Sequence, residues 1–139
     1  VTVSKMFQAR TVKKYYEALV QGAVQAEGSV DVPLITDWEN RPRQIVHFEL
    51  GKQAKTLFQL MDYEAETDQS RVRLEPVTGR SHQLRVHMMH IGHPIMGDKL
   101  YHPEPAKFHL KRMALHAAFL SFQHPLQQHL VEIKSVIPF

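Results

Sequence analysis

Between Val77 and Tyr101 the chain carries the one segment that reads convincingly as a helix, and the segments around it alternate like strands. In VTGRSHQLRVHMMHIGHPIMGDKLY, Leu84, Met88 and Ile91 recur at i, i+4 and i+7, the apolar stripe of a helix packed on one side. Ser81 is a suitable N-cap, Gly92 stands where a C-cap glycine belongs, and Pro94 follows as a stop. The spacing predicts a helix from about His82 to Ile91. One helix among alternating segments restricts the fold to an α+β class, with a mixed, largely antiparallel sheet and few helices.

Extended segments recur along the chain. In Lys14 to Val20, Tyr16, Ala18 and Val20 share one face. Val30 to Ile35 is a short extended segment whose Pro33 suits an edge strand. Thr56, Phe58 and Leu60 face one way in the run from Ala54 to Tyr63, and Val72 and Leu74 turn inward between charges. Ala114 to Gln123 and Leu130 to Ile137 read as an antiparallel pair joined by a polar turn. Asp37 to Arg43 is a polar loop, Gln44 to Glu49 a short strand, and Pro103 to Arg112 is compatible with a second short helix. No repeat or linker divides the chain, so a single domain over 1–139 is expected.

Composition narrows the function. The chain has 139 residues, of which 43% are hydrophobic and 22% charged, enough for a real core. No apolar run reaches the ~20 residues that a bilayer-spanning helix needs. The absence of cysteine excludes disulfides, thiolate metal sites and cysteine nucleophiles. It also fits a reducing compartment, and a cytoplasmic location is expected. A net charge of +3 favours an anionic partner such as nucleic acid, although basic enzymes of small anions look alike. The opening VTVSKMFQAR starts without methionine and suggests a piece of a longer protein.

Several residues are candidates for chemistry. Arg80 follows Gly79 at a strand-to-helix junction, where a glycine permits a tight turn and an arginine can aim at a carboxylate or phosphate. His82, His87, His90 and His93 are close in sequence, but only His87 and His90 have ligand spacing on a helix, and no HExxH occurs. No metal is expected; polar core or RNA-facing roles suit these histidines better. Neither GxSxG, GxGxxG nor a P-loop is present, so neither a serine hydrolase nor a nucleotide cofactor is expected. Tyr15 and Tyr16 beside Lys13 and Lys14 could stack bases and hold phosphates, or simply pack in a strand.

The run Arg73-Leu74-Glu75-Pro76-Val77-Thr78-Gly79-Arg80-Ser81-His82-Gln83-Leu84-Arg85-Val86-His87 closely resembles the RluA-type pseudouridine synthases. Gly92-His93-Pro94-Ile95 and Gly97-Asp98 followed by Tyr101 extend the likeness. So do Lys14 and Tyr16, Gly51-Lys52 with Ala54 and Thr56, Leu115-His116-Ala117, and Phe122 with His124-Pro125. The wording is most similar to the branch that modifies both ribosomal and transfer RNA.

The resemblance implies an enzyme that flips a uridine out of RNA and isomerises it to pseudouridine, with neither cofactor nor metal. It implies that Tyr16 packs on the target base and assists removal of the carbon-5 proton. Arg80 would pair with the catalytic aspartate and keep it ionised. Leu115 resembles the apolar pocket wall, and Lys14, His82 and Arg85 are expected to bind substrate. The family's aspartate lies in an HRLDxxTSG motif upstream of Lys-x-Tyr, and that motif is absent from this sequence. The chain therefore resembles the C-terminal portion of a catalytic domain and is expected to be inactive alone. The alternative is a non-catalytic RNA-binding module of the same fold. Either way, Tyr16 and Arg80 are expected on one side of the sheet, facing a cleft.

Overall fold

The computed structural model of the chain describes residues 13–103, 113–123 and 130–134. The first alternating run becomes β1 (Lys13–Gln21), which buries Ala18 and Val20 fully and Tyr16 in part. Its neighbour β6 (Gln69–Pro76) sets Leu74 opposite Tyr16 and Val72 opposite Ala18. Beyond it, β5 (Lys55–Glu64) sets Phe58 against Leu74 and Leu60 against Val72. Partners across a ladder point to the same side, so these side chains form two apolar rows on one face. The inward run of β5 ends at Leu60, because a register shift between Leu60 and Asp62 interrupts the pairing.

Among the described residues six strands make the main sheet, in the order β2-β5-β6-β1-β7-β8, with β2 at Glu27–Asp31, β7 at Leu115–Gln123 and β8 at Leu130–Lys134. Every pairing among the described strands is antiparallel. The final two strands pair as the sequence suggests. The expected helix at Pro103 to Arg112 falls almost wholly outside the described residues.

Pro33 divides what the sequence presents as one edge segment. β2 stops at Asp31, and β3 (Leu34–Thr36) pairs instead with β4 (Gln44–Val46) in a separate two-stranded sheet. A proline has no N–H to continue the first ladder, and its carbonyl accepts from His47 N–H at 3.1 Å. The strand expected from Gln44 to Glu49 ends at Val46, because His47 to Gly51 closes a turn. There the Gly51 N–H donates to the His47 carbonyl and the Leu50 N–H to His47 Nδ1.

The helix α1 (Gln83–His90) lies between the two sheets. Leu84, Met88 and Ile91 pack on the main sheet, as their spacing predicts. Val86 and Met89 pack the other way, with Leu34, Val46, Ala54 and Tyr101. A second layer thus buries residues beyond the stripe, and each buried Leu, Val or Met contributes roughly 1.5–3 kcal/mol. At the C-terminus, the His93 N–H donates to the Met88 carbonyl and the Gly92 N–H to that of Met89, with Gly92 at φ +86°. This is a Schellman motif, and it needs the left-handed backbone that glycine adopts freely.

The N-terminus departs from expectation. Ser81 is exposed and is not the cap; His82 holds the N-cap position, in the left-handed region at φ 55°, without a side-chain capping bond. Nor does the turn require Gly79, which lacks a positive φ and where an added Cβ would meet nothing within 4 Å. Gly51 is different: a Cβ there would lie 2.4 Å from the His47 carbonyl oxygen and 2.9 Å from Pro33. Gly51→Ala is therefore expected to destabilise the fold by about 1–3 kcal/mol, whereas Gly79→Ala should change it by less than about 0.5 kcal/mol. Urea denaturation of the two variants checks this; equal losses would refute it.

Candidate active site

On the helix-covered face of the sheet, the start of β1 runs beyond the helix. Lys14 and Tyr16 share the face of Ala18, and Leu115 lies opposite Ala18 on β7. The junction into α1 supplies Arg80, His82 and Arg85. These six side chains, which sequence alone singles out, line one cleft of about 310 Å³ together with Pro76, Thr78 and Leu84. Among the described residues its charged lining is Lys14, Arg80 and Arg85, and no described carboxylate lines it. The helix N-terminus adds partial positive charge, and the first turn holds no acidic residue to offset it. An anion in the cleft would relieve this imbalance.

Arg80 is exposed. Its Nε donates to the Gln53 carbonyl at 2.9 Å, and its terminal nitrogens have no partner among the described residues. Its backbone is fixed from below by Gln83. The Gln83 Oε1 accepts from the Arg80 N–H at 3.1 Å and from the Thr78 hydroxyl at 2.6 Å. The Gln83 Nε2 donates to the Lys55 carbonyl at 2.8 Å and to Thr56 Oγ1 at 3.0 Å. With two acceptances and two donations, this buried amide is saturated.

The chain of bonds continues into the core. Thr56 Oγ1 lies 2.9 Å from His87 Nδ1, and His87 Nε2 lies 3.0 Å from the Val32 carbonyl. A carbonyl only accepts, so Nε2 carries the ring proton and Nδ1 accepts from the Thr56 hydroxyl. Burial pushes the His87 pKa down, which keeps the ring neutral despite its bond to Val32. With both nitrogens engaged, His87 has no lone pair for a metal. No three histidines or carboxylates among the described residues are grouped to hold one.

Arg85 is clamped. Its Nε and Nη2 donate to Asp98 Oδ2 and Oδ1 at 2.9 and 2.8 Å, a bidentate pair on a carboxylate with no exposed side-chain surface. Asp98 Oδ1 also accepts the N–H groups of Leu100 and Tyr101. Burial pushes the Asp98 pKa up, but Arg85 and the two amides outweigh it and hold the carboxyl below its ordinary value. The Arg85 and Arg43 guanidinium groups lie 5.1 and 5.0 Å from the centre of the Tyr101 ring. The Tyr101 hydroxyl accepts from the Gln44 N–H at 2.8 Å and lies 2.7 Å from His82 Nδ1. Burial raises the Tyr101 pKa, so its proton is available to His82. Burial, together with the charge of Arg85, lowers that of His82, so the ring is neutral and can accept. This bond anchors the left-handed residue at the helix entrance.

Gln83, Thr78, Asp98 and Tyr101 were not apparent as site residues in the sequence. Thr56 carried the one legible signal, a polar side chain at an inward position of an apolar strand. No helix among the described residues is long and apolar enough to cross a membrane.

The sequence profile described as RNA pseudouridylate synthase matches residues 1–90. The dual-specificity RNA pseudouridine synthase RluA of Pasteurella multocida is 51% identical over 128 residues, which is 91% of this chain and 58% of that protein. The protein of that name from Vibrio parahaemolyticus is 54% identical over 127 residues, 88% of this chain and 51% of its own length. The one from Escherichia coli K12 is 45% identical over 138 residues, 99% and 63% respectively. Among solved structures, human RNA Pseudouridylate Synthase Domain Containing 1 superposes with a TM-score of 0.83 at 30% identity, covering 98% of this chain and 59% of that one. The chain thus spans between 51% and 63% of the curated relatives it matches here.

Two predictions follow from the clamp and the core histidine. Asp98→Ala leaves Arg85 half-buried without its counter-charge and should cost about 3–5 kcal/mol, read as a shifted urea midpoint. His87 has a folded pKa below its unfolded value of 6.5, so the unfolded chain takes up a proton that the folded chain refuses. Stability should therefore be fully present above pH 6.5 and fall as the pH drops below it. His82 adds in the same direction. Urea unfolding from about pH 7.5 to 5.5 tests the sign, and His87→Gln should flatten the profile. A wild-type curve that stays level across this range would refute the assignment.

Proposed function

The chain belongs to the RNA pseudouridylate synthase family, and we propose that it carries part of the active site of an enzyme that isomerises uridine to pseudouridine in ribosomal or transfer RNA. One observation carries this reading: residues picked from three separated segments meet in a single cationic cleft. At about 310 Å³ the cleft lies at the small end of ligand sites and suits one extruded nucleoside. In the reaction, the N1–C1′ bond breaks and a C5–C1′ bond forms. The proton lost from C5 is balanced by one gained at N1.

Tyr16 and Leu115 form the apolar floor on which the flipped base rests, with Tyr16 positioned to assist removal of the C5 proton. Lys14, on the same strand face, meets a substrate phosphate, and His82 and Arg85 bound the inner end. Arg80 directs its unpartnered terminal nitrogens at the catalytic aspartate and keeps it ionised. The HRLDxxTSG motif does not occur in these 139 residues. The proposal requires the aspartate to come from outside them, and a cytoplasmic location goes with an RNA substrate.

The absence of a described carboxylate on Arg80 also favours a second reading, a non-catalytic RNA-binding module. Tritium release from RNA labelled at carbon 5 of uridine decides between the two. The 139-residue chain alone should release none. A longer protein that contains it should release tritium, and binding without release would favour the module. In the active protein, Arg80→Ala should slow release by about a hundredfold or more while leaving RNA affinity within about threefold, since phosphate contacts are spread over many cations. Equal losses of rate and affinity would make Arg80 a phosphate contact instead.

A further inference from the structure

A second cleft, of about 510 Å³, opens on the other side of the Gly79–Arg80 junction. Trp38, Leu50, Thr36 and Lys52 line it, and Gly79 and Arg80 belong to both clefts. Among the described residues its charged lining is Lys52 and Arg80, both cations. Trp38 is 66% exposed and Leu50 is 69% exposed, a large apolar surface to leave in water.

The indole sits on a braced support. Trp38 opens a 3₁₀ turn (Trp38–Asn40) whose ends are tied by Asp37 N–H to the Arg43 carbonyl and Arg43 N–H to that of Asn40. The Asn40 side chain donates to Asp37 Oδ2 at 2.9 Å. The Arg41 guanidinium lies 5.1 Å from the indole centroid, so positive charge accompanies the ring. An exposed, braced aromatic with cations around it is the stacking platform that unpaired bases use. Gly79 lines both clefts, and an added Cβ there would meet nothing within 4 Å.

We propose that this second cleft holds an unpaired nucleotide next to the extruded uridine, its base stacked on Trp38 and its phosphate against Lys52. The inference rests on the RNA-modifying reading of the first cleft. It deepens that reading by requiring a single-stranded neighbour to the target, since a paired neighbour has no free face to offer the indole.

Trp38 is the only tryptophan in the sequence, so tryptophan fluorescence, excited selectively over that of tyrosine, reports on this cleft. The purified chain is titrated with a five-nucleotide oligouridylate, while fluorescence and the anisotropy of a labelled copy are followed. Quenching should track binding, and an abasic oligomer of the same length should bind without quenching. Trp38→Ala should weaken binding about tenfold or more, and Trp38→Phe should retain most of the affinity. Lys52→Ala should lower the salt slope of log K by about 0.7. If the oligouridylate binds with unchanged fluorescence and Trp38→Ala binds equally well, the second cleft is not a nucleotide site, and the RNA reading of the first cleft survives. If the wild-type chain binds no oligouridylate, both readings fall.

Discussion

The cleft depends on one buried amide. Gln83 is 3% exposed, yet its side chain bonds to Thr78, the Arg80 backbone, the Lys55 carbonyl and Thr56. Those four contacts hold the end of β6, the Gly79–Arg80 junction, the helix start and β5 in one arrangement. Each contributes only about 1 kcal/mol net, but leaving any partner buried and unmet costs about 1–3 kcal/mol. The asymmetry makes the arrangement close to all-or-none, which suits a site whose arginine must be held where a carboxylate can reach it.

The Asp98 clamp works on the opposite flank. It takes Arg85 as a bidentate partner and organises the turn that presents Tyr101. Tyr101 then reaches back to His82 and across to Gln44. Helix entrance, small sheet and cleft wall are thereby coupled through one phenol. The left-handed backbone of His82 would by itself cost about 1–2 kcal/mol, and the surrounding bonds over-determine it. Strain held in this way at the mouth of a cleft is characteristic of positions where geometry matters more than stability.

Periodicity revealed much of the fold. Ala18, Val20, Phe58, Val72 and Leu74 fall on the predicted inward face because a sheet offers only two sides. The helix stripe was legible for the same reason. Pro33 marks an edge as expected, since β2 ends the six-stranded order and β3 lies in a two-stranded sheet, but a proline reports only that a ladder cannot continue, not which sheet the next residue joins. Ser81 misled because capping propensity is local, whereas the Arg80 N–H finds its acceptor in a side chain two residues past Ser81. Lys14, Tyr16, Arg80, His82, Arg85 and Leu115 were marked by resemblance, and the geometry brings them to one place. Thr78, Gln83, Asp98 and Tyr101 stand in the runs that carry the resemblance, but their supporting roles were not legible there: Asp98 lies thirteen residues from Arg85 and Gln83 twenty-seven from Thr56, separations that no helix or strand period encodes.

What remains is a charge argument. Folding has drawn Arg80 and Arg85 to the positive end of a helix, with Lys14 lining the same cleft, and a cation there without a counter-charge is unfavourable by about 0.3–1 kcal/mol. A chain selected for stability alone would place acidic residues there. Asp98 offsets Arg85, but nothing described offsets the terminal nitrogens of Arg80. The imbalance is relieved by an anion that arrives from elsewhere. A carboxylate entering that field is held ionised, and a phosphate beside it is held in place. Under the proposed function the anion at Arg80 is the aspartate, which that charge holds ionised, whereas the phosphates of the RNA are met by cations spread around both clefts.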